Sequence, residues 1–186
     1  MITLVYGGSS SGKSEFAEDL VCKSDFKKRY YLATMKSKED TKERIFRHRK
    51  QRAGKGFFTL EYAVDVAQSM GEMEKKEAQE DNRKEVSRNE RIVLLECMSN
   101  LVANEMFRNG EMISSDLCEE KILSDIKELE GQVASLVIVT NNVFEDGISY
   151  DAGTKEYLRC LGRINQRLTE ISDEVYEVVV GIGIKL

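Results

Sequence analysis

The chain has 186 residues, a net charge of −5 and an apolar content of 41%, which is the size and composition of one globular domain with its own core. The acidic balance argues against a general nucleic-acid binder, and no stretch approaches the ~18 apolar residues of a membrane span, so neither nucleic acid nor membrane is an expected partner. Cys22, Cys97, Cys118 and Cys160 make no CxxC pair and no cluster with the single histidine, which reads as reduced thiols in a cytoplasmic protein and not as a zinc site or a disulfide frame.

The elements follow in chain order. ITLVY (residues 2–6) is an apolar run of strand length. With this strand at the start and no basic start or cleavage site, no leader segment is expected. GKSEFAEDLVCKS spaces Phe16, Leu20 and Val21 for one face of a helix. RYYLATM predicts a second strand, Lys38 to Arg52 a highly charged helix, FFTLEYA a short strand, and AVDVAQSM the opening of another helix. Residues 72–91 are mostly charged and balanced in sign, the pattern of a solvated helix extension or loop.

RIVLLE lacks alternation and predicts a buried strand. MSNLVANEMF predicts a helix, and EEKILSDIKELE another, with Ile122, Ile126 and Leu129 on one side. SLVIVTN is a strand, Gly153–Ser172 a helix, and DEVYEVVVGIGIKL a single closing strand. Strands alternating with helices specify an α/β fold, a mostly parallel sheet covered by helices on both faces. With no linker or repeat, residues 1–186 are expected to form one domain.

GGSSSGKS (residues 7–14), set between strand and helix, matches G-x-x-x-x-G-K-[ST]. Its glycines let successive N–H groups curl around phosphate, and the next helix adds the positive end of its dipole. The phosphate-binding loop thus comprises Gly7, Gly8, Ser9, Ser10, Ser11, Gly12, Lys13 and Ser14. Lys13 is the catalytic cation that reaches the β- and γ-phosphates, and Ser14 is a ligand for Mg²⁺. Glu96, at the end of RIVLLE, is the partner acid for nucleotide and metal, because ligands sit at the carboxyl edge of such sheets. The fold expected is a P-loop NTPase of RecA-like type.

The one histidine, His48, lies in KERIFRHRKQR. On a helix Arg44, His48 and Arg52 share a stripe, with Arg47, Arg49 and Lys50 beside it. Guanidinium forks suit a triphosphate. The same cations disfavour protonated imidazole, and neutral imidazole is a nucleophile. A solvated surface histidine is the alternative.

These stretches together resemble the bifunctional adenosylcobinamide kinase/adenosylcobinamide-phosphate guanylyltransferase family of cobalamin biosynthesis. The likeness runs through LVYGGSSSGKSEFAE, YYLATM followed by ERIFRHRKQR, VLLECMSNLVANEMF and GRINQRLTEISDEVYEVVVGIGIKL. The resemblance implies two reactions: phosphorylation of the aminopropanol hydroxyl of adenosylcobinamide by ATP or GTP, then transfer of GMP from GTP to that phosphate, giving adenosylcobinamide-GDP and pyrophosphate. It implies that His48 carries GMP as a phosphoramidate. It also implies nucleotide contacts at Ala33, Thr34, Met35, Arg49, Lys50, Gln51, Arg52, Glu61 and Glu96, a corrinoid partner and a homotrimer.

The chain departs from the family pattern in places. TNNVF has Asn142 where the family has an acid, EDGISYD lacks the family's proline, Phe57 or Phe58 stands for a tryptophan, and Val180 stands for a serine. The resemblance implies that the loop 142–151 borders the corrinoid or the second active site, where Glu145 or Asp146 would offer a displaced carboxylate. A guanylyltransferase without kinase activity, a P-loop GTP-binding regulator and an unrelated small-metabolite kinase stay open as alternatives.

Overall fold

A computed structural model of the chain describes residues 1–36, 52, 54–81, 88–145 and 147–186. The apolar run at the start forms β1 (Ile2–Gly7), and Lys13–Lys23 follows as α1. Next come β2 (Lys28–Ala33), β3 (Phe57–Glu61), α2 (Ser69–Asp81), β4 (Arg91–Glu96) and α3 (Met98–Met106). The chain continues through α4 (Ser115–Gly131), β5 (Ser135–Asn141), α5 (Ala152–Ile171), β6 (Glu174–Val179) and β7 (Ile182–Lys185). Caps fit the sequence: the Ser114 hydroxyl accepts from the Leu117 N–H at the start of α4, and the Asp151 carboxylate accepts from the Thr154 N–H at the start of α5.

The described strands make one seven-stranded sheet in the order β3-β2-β4-β5-β1-β6-β7. Every pairing is parallel except β6 with β7. Alternate residues of a strand face opposite sides of the sheet. Leu4, Tyr30, Leu32, Val93, Leu95, Leu136 and Ile138 pack with α2, α3, α4 and α5 on one side. Val5, Tyr31, Ile92, Leu94, Val137 and Val139 pack with Ala17 and Val21 of α1 on the other. The expected α/β architecture is therefore present. Phe16 and Leu20, predicted to face inward, are partly buried against this second core. Among the described residues no helix is long and apolar enough to cross a membrane.

Two expectations change. The closing segment is not one strand: it reverses at Val180 (φ 45°) and Gly181 (φ 84°) into the antiparallel pair β6–β7. A residue pair with positive φ makes the tight hairpin turn, and only the glycine advertised it. The charged stretch 72–91 does extend a helix as far as Asp81, yet it is not wholly solvated. Glu77 and Arg91 are buried, with Arg91 Nη2 2.6 Å from Glu77 Oε2 and Nε 2.9 Å from Oε1. The Tyr30 hydroxyl also donates to Glu77 Oε1 at 2.6 Å. Matched charges can enter a core together when their hydrogen bonds are met, and charge counting does not detect such pairs. The predicted helix from Lys38 lies, apart from Arg52, outside the described residues.

Candidate active site

Parallel strands bring their carboxyl ends to one edge, so Gly7, Ala33, Glu61, Glu96 and Asn141 end side by side. The register pairs Ala33 with both Glu61 and Glu96, and Gly7 with Asn141. The loop after β1 runs through Ser10 (φ 58°) and Gly12 (φ 89°) into α1. A Cβ on Gly7 would lie 2.7 Å from both Ser11 Oγ and the Val178 carbonyl oxygen, and one on Gly12 would lie 2.9 Å from Gly181 Cα. Both positions therefore require glycine, one for space and the other for space and conformation. Ser9 and Ser10 are exposed, while Gly8 and Ser11 are half-buried.

Lys13 is buried, its ammonium donating to the Gly8 carbonyl at 2.8 Å. The Ser14 hydroxyl donates to Glu96 Oε1 at 2.5 Å, and the Tyr31 hydroxyl donates to Glu96 Oε2 at 2.9 Å. Tyr31 in turn carries a cation on its ring, with the Arg52 guanidinium carbon 3.5 Å from the ring centroid. Arg52 is buried, and among the described residues its Nε and Nη1 have no hydrogen-bond partner. Burial, and then the charge of Glu96, push the Tyr31 phenol well above its ordinary range, against the opposing pull of Arg52. It therefore remains a hydrogen-bond donor to the carboxylate.

Thr34 is fully buried. Its hydroxyl donates to the Cys97 carbonyl and accepts from the Cys97 N–H, both at 2.8 Å. Its own N–H donates to the Glu96 carbonyl at 2.9 Å, and Asn104 Nδ2 donates to the Thr34 carbonyl at 2.8 Å. The side chain thus clamps β2 to the end of β4 and leaves Ala33 and Met35, both half-buried, beside it. Glu61 is exposed at the end of β3. Burial also raises the pKa of Cys97, keeping it a thiol.

Across the edge, the Asn142 N–H donates to the Gly7 carbonyl at 2.8 Å, and Asn142 Nδ2 donates to Glu145 Oε1 at 3.0 Å. Burial raises the Tyr6 pKa, and the nearby carboxylates of Glu145 and Glu177 add to the effect. Glu145 is thus close to the strand that feeds the phosphate loop. Of the other predicted site residues, Arg44, Arg47, His48, Arg49, Lys50, Gln51 and Asp146 lie outside the described residues.

Sequence reasoning did not single out Tyr31, Asn104 or Gly181. Tyr31 sits in an apolar strand, where an aromatic reads as core, and only its phase with Ala33 on the α1 side of the sheet marks it. A separate group of acids, Asp65, Glu105 and Asp125, is already matched by cations. Lys121 lies 3.0 Å from Asp65 and 2.5 Å from Asp125, and Arg108 lies 2.7 Å from Asp65.

This edge combines a lysine- and serine-bearing phosphate loop, a strand acid and a stacked arginine. The family model described as "Cobinamide kinase / cobinamide phosphate guanyltransferase" matches residues 3–186. The chain belongs to the cobinamide kinase / cobinamide phosphate guanyltransferase family. It is similar to the "Bifunctional adenosylcobalamin biosynthesis protein CobU" of Escherichia coli K12, with 29% identity over 195 residues covering 100% of this chain and 99% of that protein. The protein of the same description from Salmonella typhimurium LT2 shows the same identity and coverage. Membership makes the chain a transferase of phosphorus-containing groups and its fold that of P-loop nucleotide enzymes.

Proposed function

We propose that residues 1–186 form one catalytic domain that phosphorylates adenosylcobinamide with ATP or GTP. It then transfers GMP from GTP to adenosylcobinamide phosphate through a guanylyl group on His48. In the first reaction the acceptor hydroxyl oxygen attacks the γ-phosphorus, the bond to the nucleoside diphosphate breaks, and the hydroxyl proton is released. In the second an imidazole nitrogen of His48 attacks the α-phosphorus of GTP and pyrophosphate leaves. An oxygen of the corrinoid phosphate then attacks the same phosphorus, breaking the P–N bond and freeing His48. Splitting the transfer this way replaces one hard displacement by two easier ones.

The observation that carries this reading is the Ser14–Glu96 pair beside Lys13, with Arg52 buried against Tyr31 at the same acid. Arg52 follows His48 by four positions in the sequence, and covalent connection keeps such a residue within about 14 Å of it. A P-loop alone would leave the arginine without a purpose, whereas a second phosphoryl chemistry at the same nucleotide gives it one. The open Nε–H and Nη1–H of Arg52 suit the α-phosphate and departing pyrophosphate. Backbone N–H groups of Gly8 to Gly12 and the Lys13 ammonium suit the β- and γ-phosphates. Ala33, Met35, Arg49, Lys50, Gln51 and Glu61 complete the nucleotide contacts in this reading, and Thr34 supports them from below.

The Ser14 hydroxyl and Glu96 carboxylate, 2.5 Å apart, are the hard oxygen donors that Mg²⁺ takes together with nucleotide phosphates. An ion held there would neutralise the charge of the transferred phosphoryl group. Glu145, held by Asn142 next to β1, supplies the carboxylate that Asn142 itself lacks, which favours an intact kinase over a guanylyltransferase alone.

We further propose a homotrimer. The outer hairpin exposes Val179, Val180, Ile182, Ile184 and Leu186, an apolar surface of the kind that subunit contacts cover. Light scattering on a sizing column tests it, and a monomer at micromolar concentration refutes it.

The function is tested with GTP labelled at the α-phosphorus. The protein should acquire one nucleotide by intact mass, stable to alkali and labile to acid, and His48→Ala should acquire none. Offering adenosylcobinamide with ATP tests the kinase half by transfer of phosphate to the corrinoid. A protein that binds GTP and forms neither product is a regulator, and the proposal fails.

A further inference from the structure

We infer that Tyr31 is a positioning residue of the nucleotide site: its hydroxyl fixes which oxygen of Glu96 faces Ser14, and its ring seats Arg52. The inference rests on the proposed function, in that it takes Ser14–Glu96 as the metal-facing pair and Arg52 as a phosphate contact.

The geometry is specific. Tyr31 pairs with Leu94 in the β2–β4 register, and Ala33 pairs with Glu96. Residues two apart on a strand share a face, so Tyr31 and Glu96 both point to the α1 side, where Ser14 lies in the first turn of the helix. From one residue pair back, the phenol reaches diagonally to Glu96 Oε2 at 2.9 Å, leaving Oε1 for Ser14. A carboxylate with one oxygen tied has lost the rotation that would present the wrong lone pairs to an ion. Tyr31 is itself immobilised: it is 4% exposed, and Phe57 packs edge-on to its ring at 6.1 Å between centroids.

The ring's other service is to Arg52. A guanidinium stacked on an aromatic face is held in a plane without using its N–H groups. Arg52 is 7% exposed, and Nε and Nη1 have no partner among the described residues. Buried donors normally find acceptors, and an anionic oxygen of the nucleotide is the acceptor this arrangement accommodates. One tyrosine thus sets the metal side through its oxygen and the phosphate side through its ring. A tyrosine that merely filled the core would show neither dependence.

The experiment measures equilibrium binding of α,β-methylene-GTP, which blocks guanylyl transfer, by calorimetry with and without Mg²⁺. Wild type is expected to bind more tightly with Mg²⁺. Tyr31→Phe keeps the ring and its packing, so its metal-free affinity should stay within about twofold of wild type while the enhancement by Mg²⁺ falls by about tenfold, the worth of a hydrogen bond to a charged group. Tyr31→Leu should also lose metal-free affinity, and Arg52→Ala should add nothing further in that background although it costs affinity in wild type.

Full Mg²⁺ enhancement in Tyr31→Phe overturns the hydroxyl's role. Additive losses from Tyr31→Leu and Arg52→Ala overturn the ring's role. Tyr31→Phe decides the metal arm even where Tyr31→Leu does not fold. If wild type binds no nucleotide or forms no adduct on His48, the functional proposal fails instead, which is a separate outcome.

Discussion

Replacing Glu77 by alanine should destabilise the protein strongly without weakening its hold on nucleotide. Glu77 and Arg91 have side chains only 2% and 5% exposed. The pair is joined through two nitrogens, at 2.9 and 2.6 Å, and the Tyr30 hydroxyl adds a contact at 2.6 Å. Removing one partner of a buried pair leaves an uncompensated charge and typically costs about 3–5 kcal/mol. Arg91 Nη1 still reaches the Gln132 carbonyl at 3.3 Å, a long bond that offsets little. Taking about 4 kcal/mol, against a usual stability of about 5–15 kcal/mol, the midpoint should drop by about 8–16 °C for a chain of this size. Urea unfolding at pH 7 measures the loss directly. Arg91 opens β4 and Glu96 ends it, so the pair lies at the opposite end of the strand from the phosphate loop, and nucleotide affinity of the folded fraction should be unchanged. The apolar triple variant Glu77→Leu, Arg91→Met, Tyr30→Phe should recover to within about 1–2 kcal/mol of wild type. A loss below about 1 kcal/mol for Glu77→Ala, or a triple variant no better than the single, would refute the account of this pair.

Gly183→Ala places a methyl 2.2 Å from two ring atoms of Phe16; it should cost about 1–3 kcal/mol, measured by urea unfolding, and less when combined with Phe16→Leu. Gly12→Ala combines a φ of 89° with a 2.9 Å approach to Gly181 Cα; the left-handed strain alone is about 1–2 kcal/mol, so GTP affinity should fall about tenfold, and an unchanged dissociation constant would count against the loop geometry. Asp65 has its pKa lowered by the Arg108 hydrogen bond, against burial and with help from Lys121. A folded-state pKa below the unfolded one stabilises above the ordinary carboxylate range and is lost as pH falls through the lowered value. The cost of Asp65→Asn in urea unfolding should therefore be largest at pH 7 and shrink below about pH 4.

The parallel sheet was legible because its strands are unbroken apolar runs. SLVIVTN and RIVLLE coincide with β5 and β4 to the residue, since a strand buried on both faces carries a continuous apolar run in place of an alternation. The phosphate loop was legible because its chemistry needs glycine and lysine at fixed spacing. What surrounds it was not. The Thr34 hydroxyl bonds both backbone groups of Cys97, a long-range pairing that a sequence does not record. Tyr31 and Arg91 look like ordinary members of apolar and charged runs, and their roles arise only when β2 meets β4 and α2 meets the sheet. Pattern reports which face of an element is buried; it does not report which polar group waits on the other side.

The hairpin that was missed bears on the site itself. Its turn residue Gly181 donates its N–H to the Ser11 carbonyl at 2.7 Å. The Val178 carbonyl stands where a Cβ on Gly7 would go, and the Gly181 Cα stands where one on Gly12 would go. Both glycines of the phosphate motif are therefore required by what β6–β7 places against the loop as well as by the phosphate. The Val178 contact comes from β6 alone, which runs parallel to β1, whereas a straight closing strand could not bring Gly181 back against Gly12 and Ser11. The reversal at Val180–Gly181 consequently shapes the loop from outside, and the exposed Val179, Val180 and Ile182 continue from that support.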